Sequence, residues 1–72
     1  MNLLKIAEIL TDTDLLVKDL RKDEQTPKYI KSAIFKANST LFALVNELNE
    51  EKQKVILNHY ADLLKELKEE KN

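Results

Sequence analysis

Hydrophobic positions recur at helical spacing along the whole chain, most clearly in residues 50–71, EEKQKVILNHYADLLKELKEEK. At about 100° per residue, Gln53, Ile56, Leu57, Tyr60, Leu63, Leu64 and Leu67 share an arc of about 120°, the width of a core-facing stripe. Glu51, Lys54, Asn58, Asp62, Lys65, Glu66 and Glu69 fall on the opposite, solvated face. Asn49 stands where its side chain can accept from the backbone N–H of Glu51 or Lys52, and Glu50 and Glu51 oppose the positive end of the helix dipole. The pattern predicts a helix over 50–71, with Ile56, Tyr60, Leu63, Leu64 and Leu67 holding a hairpin against the helix before it.

That preceding helix is marked by Thr26-Pro27, which reads as an N-cap followed by proline at the first helical position, where a missing N–H costs nothing. From there to Leu48 one arc holds Ile30, Ala33, Ile34, Ala37, Leu41, Leu44 and Leu48, with Val45 on its edge. Asn38-Ser39-Thr40 could split the helix, but the phase survives, so a single helix over 27–48 is expected. Upstream, residues 2–10 place Leu3, Ile6, Ile9 and Leu10 on one side before TDTD at 11–14 intervenes. Short polar side chains compete for backbone groups, and Thr11 with Asp14 has the shape of a capping box, so two short helices are expected, over 2–10 and 12–22. One continuous helix is the alternative, because Thr13 would fall on the apolar side without breaking the phase. Residues 22–26 form the connection to the middle helix.

Phe35 and Phe42 do not fit that scheme. They project about 140–160° from the apolar arc of the middle helix, seven residues apart and so on one line of its surface, beside Lys28, Lys31, Ser39 and Asn46. If the middle helix touches neighbours on both sides, the rings are internal. If it does not, Phe35, Phe42, Lys31, Ser39 and Asn46 form a surface for a second chain. Burying two Phe rings supplies roughly 3–6 kcal/mol against an association cost of about 4–15, so a two-fold dimer, which uses each patch twice, comes within range where one patch does not.

Composition narrows the class. Seventy-two residues make one domain, 1–72, near the lower size limit for a single core, and no cysteine is present to staple it. The expected fold class is all-α: a small bundle of three to four helices built on an antiparallel hairpin. Charged residues are 35% of the chain, yet the formal balance is −1 with the signs interspersed, so no basic stripe for nucleic acid is visible. No apolar run approaches a bilayer span and Lys5 and Glu8 interrupt the first ten residues, so neither a membrane span nor a signal peptide is expected and the location reads as cytoplasmic.

The chain offers little for catalysis. His59 is the one histidine, and with no cysteine a metal site lacks further ligands. Asp12, Asp14, Asp23 and Glu24 have neither the spacing nor the glycine of a calcium loop, and with no glycine at all there is no phosphate-cradling loop. Thr11, Thr13, Ser32, Ser39 and Thr40 have no triad partner beyond that histidine. A non-enzymatic protein, without cofactor or metal, is expected.

Two stretches resemble a known family. NLLKIAEILTDTDLLVKDL at 2–20 resembles the segment after the recognition helix of lambda-repressor-like (XRE) helix-turn-helix regulators, where L-x-K-I-A-x-x-L precedes a short turn and a D-x-L-L segment. LVNELNEEKQKVILNHYADLLKELKEE at 44–70 is similar to the tail of phage and mobile-element repressors of that family, where a leucine helix, a short break and an amphipathic helix mediate dimerisation. The DNA-reading helices of the family would precede the equivalent of Asn2. The resemblance therefore implies an association part without DNA-contacting residues: a small regulator or anti-repressor that forms a homodimer and binds a regulatory protein. In size and composition the chain is also similar to bacteriocin immunity proteins, which are antiparallel helical bundles, and a phage assembly or structural subunit is a third possibility.

If the aromatic pair is a partner surface, changing both Phe35 and Phe42 to Glu abolishes association in sedimentation experiments and leaves helical circular dichroism nearly intact. Loss of the helical signal would place the rings in the core.

Overall fold

The computed structural model describes residues 1–70. It contains three helices and, among the described residues, no strand: α1 over Leu3–Lys22, α2 over Lys28–Glu47 and α3 over Glu50–Glu70. The all-α expectation holds at that level. The expected last position of the final helix, Lys71, lies outside the described residues.

The expected break at Thr11–Asp14 is absent, and α1 runs unbroken through it. Each hydroxyl that could have capped a new helix instead returns to the preceding turn. Thr11 Oγ1 donates to the Ala7 carbonyl at 2.8 Å, and Thr13 Oγ1 donates to the Leu10 carbonyl at 3.1 Å. With its hydroxyl satisfied by its own helix, Thr11 is buried among apolar residues without an orphaned polar atom. Asn2 caps the start, its Oδ1 accepting from Lys5 N–H at 3.0 Å, and Arg21 and Lys22 face the negative end of the dipole.

Between α1 and α2 the chain turns on Asp23. Its carboxylate accepts from Gln25 N–H and from the Thr26 hydroxyl, each at 2.7 Å, and its carbonyl accepts from the Lys31 ammonium. Thr26 is thus turned back toward Asp23 and does not cap α2; Pro27 occupies the cap position, one residue later than expected, with its carbonyl accepting from Ile30 and Lys31 N–H groups. The α2–α3 link is only Leu48 and Asn49. Asn49 Oδ1 caps α3 through Lys52 N–H at 3.0 Å, as the sequence suggests. Gln53 Nε2 reaches back to the carbonyls of Leu48 at 2.7 Å and Asn46 at 3.1 Å, satisfying acceptors that the end of α2 leaves open.

The arrangement differs from a hairpin of α2 and α3 crossed by smaller segments. α1 packs along both other helices, while α2 and α3 meet sparsely. The molecule is flattened, with extents of 40 × 32 × 15 Å, and α1 is the helix packed along both others. The buried positions of α1 show this: Val17 and Leu20 lie on one side of the helix, Ala7 and Thr11 on the other, and Leu10 between them. The central cluster is Ala7 and Leu10 from α1, Val45 from α2 and Ile56 from α3, with Leu3, Ile6, Leu41, Phe42, Leu48 and Tyr60 packed around it.

Ile56 is fully buried where all three helices meet. Ile56→Ala is expected to cost about 2–5 kcal/mol. At roughly 0.05–0.15 kcal/mol per residue that is comparable with the whole stability of the fold, so urea titration should show a transition shifted to the baseline or lost.

Candidate interaction surface

Contacts across α1 set the rotation of each helix, and rotation decides which side chains remain outside. On the α1–α2 side, Asn38 Nδ2 donates to Thr13 Oγ1 at 3.0 Å. On the α1–α3 side, the Tyr60 hydroxyl donates to Asp14 Oδ2 at 3.0 Å, and Lys18 stands 3.4 Å from the same oxygen. Thr13 and Asp14 are adjacent in sequence, so one turn of α1 is pinned to both neighbours. Burial, then hydrogen bonding to the Asp14 carboxylate, then its charge push the Tyr60 phenol up to about 12.

These contacts correct the expected phase of α2. Phe42 packs against the central cluster, and its ring meets Tyr60 edge to face, with centroids 6.0 Å apart and planes at 87°. Phe35 is half-buried on the same side of the helix, and so is Lys31, which is tied to the Asp23 carbonyl. Of the expected partner surface only Ser39 and Asn46 stay exposed. The inward side of α2 therefore mixes large rings with polar groups. That is tolerable because Thr13 and Asp23 supply the acceptors that Asn38 and Lys31 need. Phe42→Glu would place charge against the cluster and Phe35→Glu would place it at a half-buried position, so the double change is now expected to lower the helical signal.

The expected hairpin residues also serve another contact. Leu63 and Leu67, with Glu66, face Glu8, Thr11 and Asp12 across a groove of about 310 Å³, and in a second groove Leu64, Leu67 and Lys68 face Leu15 and Lys18. The second half of α3 thus lies along α1, while Ile56 and Tyr60 sit at the three-way junction. Glu8, Asp12 and Glu66 line the larger groove, but among the described residues no group of side chains is placed to hold a metal ion.

With α2 rotated so that Phe42 points to α3, its opposite flank turns outward. Ile30 and Leu44 are 37% and 39% exposed, and Ala33 and Ala37 are exposed between them. Ile9 and Leu16 of α1, 41% and 43% exposed, lie beside them. The juxtaposition follows from helix periodicity. Ile9 and Leu16 sit on the flank of the α2-facing side of α1 that is farther from Asp14, and Asp14 marks the direction of α3. Both exposed sets therefore border the same α1–α2 seam on the side away from α3, with half-buried Ile34 and Leu41 at its floor. A signal for this surface existed in the sequence: Ile30, Ile34, Ala37, Leu41, Leu44 and Leu48 alternate at intervals of four and three, the spacing of an interhelical seam.

Comparison with protein-family models, with curated proteins and with solved structures finds no match to this chain.

The folded state holds the Tyr60 proton more tightly than the unfolded chain does. The stability from this contact is therefore complete below pH 10.0 and lost as pH rises through about 12. Chemical denaturation across that range should show wild-type stability falling more steeply than that of Tyr60→Phe, which has no proton to lose at this position.

Proposed function

We propose that this chain acts by binding protein and not by catalysis: it self-associates and engages a regulatory protein partner, in the manner of a small regulator or anti-repressor. The observation that carries this reading is the solvent-facing apolar flank of the α1–α2 seam. Single exposed leucines are ordinary on a soluble surface, whereas Ile9, Leu16, Ile30, Ala37 and Leu44 are contiguous and uncharged, the character of a surface covered by another chain. The regulatory partner is inferred from the resemblance of residues 2–20 and 44–70 to repressor segments. α1 runs helically through the position where that resemblance places a short turn, so its support now rests mainly on the α2–α3 stretch. Interspersed charge argues against a direct nucleic-acid role.

A second reading is an immunity-type bundle that acts as a single chain. Its specific support is the position of Phe42, packed inside against Tyr60 and not presented to a partner. No helix of the described residues is long and apolar enough to cross a membrane, so neither reading involves a helical span among them.

Sedimentation equilibrium over micromolar concentrations separates the two. The proposed function is expected to give a mass rising toward twice that of the chain. A constant single-chain mass would remove self-association and favour the second reading.

A further inference from the structure

Resting on the self-association reading, we infer that the occupant of the α1–α2 flank is a second copy of this chain, related by a two-fold axis running parallel to the helices, so that α1 of each copy lies over α2 of the other. Three observations carry it, beginning with size. α1 and α2 are each twenty residues. Helices of that length are about 30 Å long with axes about 8–10 Å apart, so the face measures roughly 600 Å² per copy, close to the ~800 Å² per partner of a standard interface. The second is composition: between the outer edges of the two helices this face carries only apolar or small residues.

The third is charge, which selects the arrangement. The edge of this face on α1, the one that borders the α3 groove, carries Lys5, then Glu8, Asp12 and Asp19, all exposed. The outer edge of α2 carries Glu47 and Lys36, also exposed. The Thr13–Asn38 hydrogen bond fixes the antiparallel register of the two helices. In that register Lys36 lies level with the stretch between Asp12 and Asp19, and Glu47 lies level with Lys5. A two-fold parallel to the helices preserves level and exchanges edges. It therefore brings Lys36 of each copy against Asp12 and Asp19 of the other, and Glu47 against Lys5 with Glu8 one turn farther on, so that the attractive pairs outnumber the single like-charge approach. The alternative face-to-face two-fold, perpendicular to the helices, stacks α1 on α1 and sets the acidic edges against each other, which complementarity disfavours.

The chain contains no cysteine, so introduced thiols report contacts without background. Asp12→Cys and Lys36→Cys chains, mixed and mildly oxidised, should form a cross-linked heterodimer at least about tenfold faster than either variant alone, a wide margin for residues that only one two-fold brings together. In sedimentation, Ala37→Glu should abolish the dimer with unchanged circular dichroism. Lys36→Glu should weaken the dimer about tenfold or more, and adding Asp12→Lys with Asp19→Lys to the same chain should restore it. A dimer that is insensitive to Ala37→Glu, or that cross-links fastest at 12 to 12, overturns this arrangement while leaving self-association in place. A wild-type chain that stays monomeric overturns both.

Discussion

The fold depends on a polar segment passing through the middle of the molecule without leaving unsatisfied groups. Among the described residues α1 is the helix packed along both others, so the segment TDTD at its centre meets a neighbour on either flank. Three of its four members find a partner according to the side they occupy. Thr11 bonds to its own helix and is buried, and Thr13 does the same while accepting from Asn38. Asp14 accepts from Tyr60 beside Lys18, and Asp12 remains in solvent at the mouth of a groove. Apolar packing supplies most of the driving force, but it does not specify rotation well, because a leucine stripe fits a neighbour in several phases. The Asn38 and Tyr60 bonds discriminate among those phases, since a rotated helix would leave part-buried donors without acceptors.

The helical class and the Asn49 cap were legible because periodicity and capping chemistry are local, whereas Thr26, expected to cap α2, turns back to Asp23. On α3, Ile56 and Tyr60 reach the central cluster, but Leu57, read on the same stripe, is exposed. α2 misled for a definable reason. Counting apolar positions gives Ala33 and Ala37 the same weight as Phe35 and Phe42, yet a phenyl ring buries several times more area, and the rings decided the rotation. Asn38 and Lys31 then faced inward, which sequence reading disfavours unless the acceptors are known, and those acceptors lie in α1 and in the turn after it. The continuity of α1 was misread similarly. Thr and Asp favour helix ends when their side chains compete with the backbone, but a hydroxyl that returns to the carbonyl four residues back removes the competition.

The same reversal accounts for the candidate surface. Residues that the sequence places in the core, Ile30, Ala37 and Leu44, became the exterior when the aromatic side turned in, so the apolar stripe and the buried stripe of α2 overlap only at Ile34, Leu41, Val45 and Leu48. A helix with both is more hydrophobic around its circumference than a peripheral helix in a three-helix fold requires. α2 accordingly has only Lys28, Lys31, Lys36 and Glu47 as charged residues in its length, whereas α3 alternates charge along its outer side. The asymmetry between the two outer helices is visible in composition alone once the fold shows that both are peripheral.

The central position of α1 also bears on how the chain reaches its structure. The contact from Asp14 to Tyr60 spans 46 residues, and Ile56, which closes the cluster around Ala7 and Leu10, belongs to the last helix. On the ribosome α1 emerges before either neighbour, and α2 alone covers only one of its sides. A nascent α1–α2 pair presents the Ala7 and Thr11 side to solvent until α3 has left the exit tunnel, so the cooperative unit is the set of three helices and folding waits on α3.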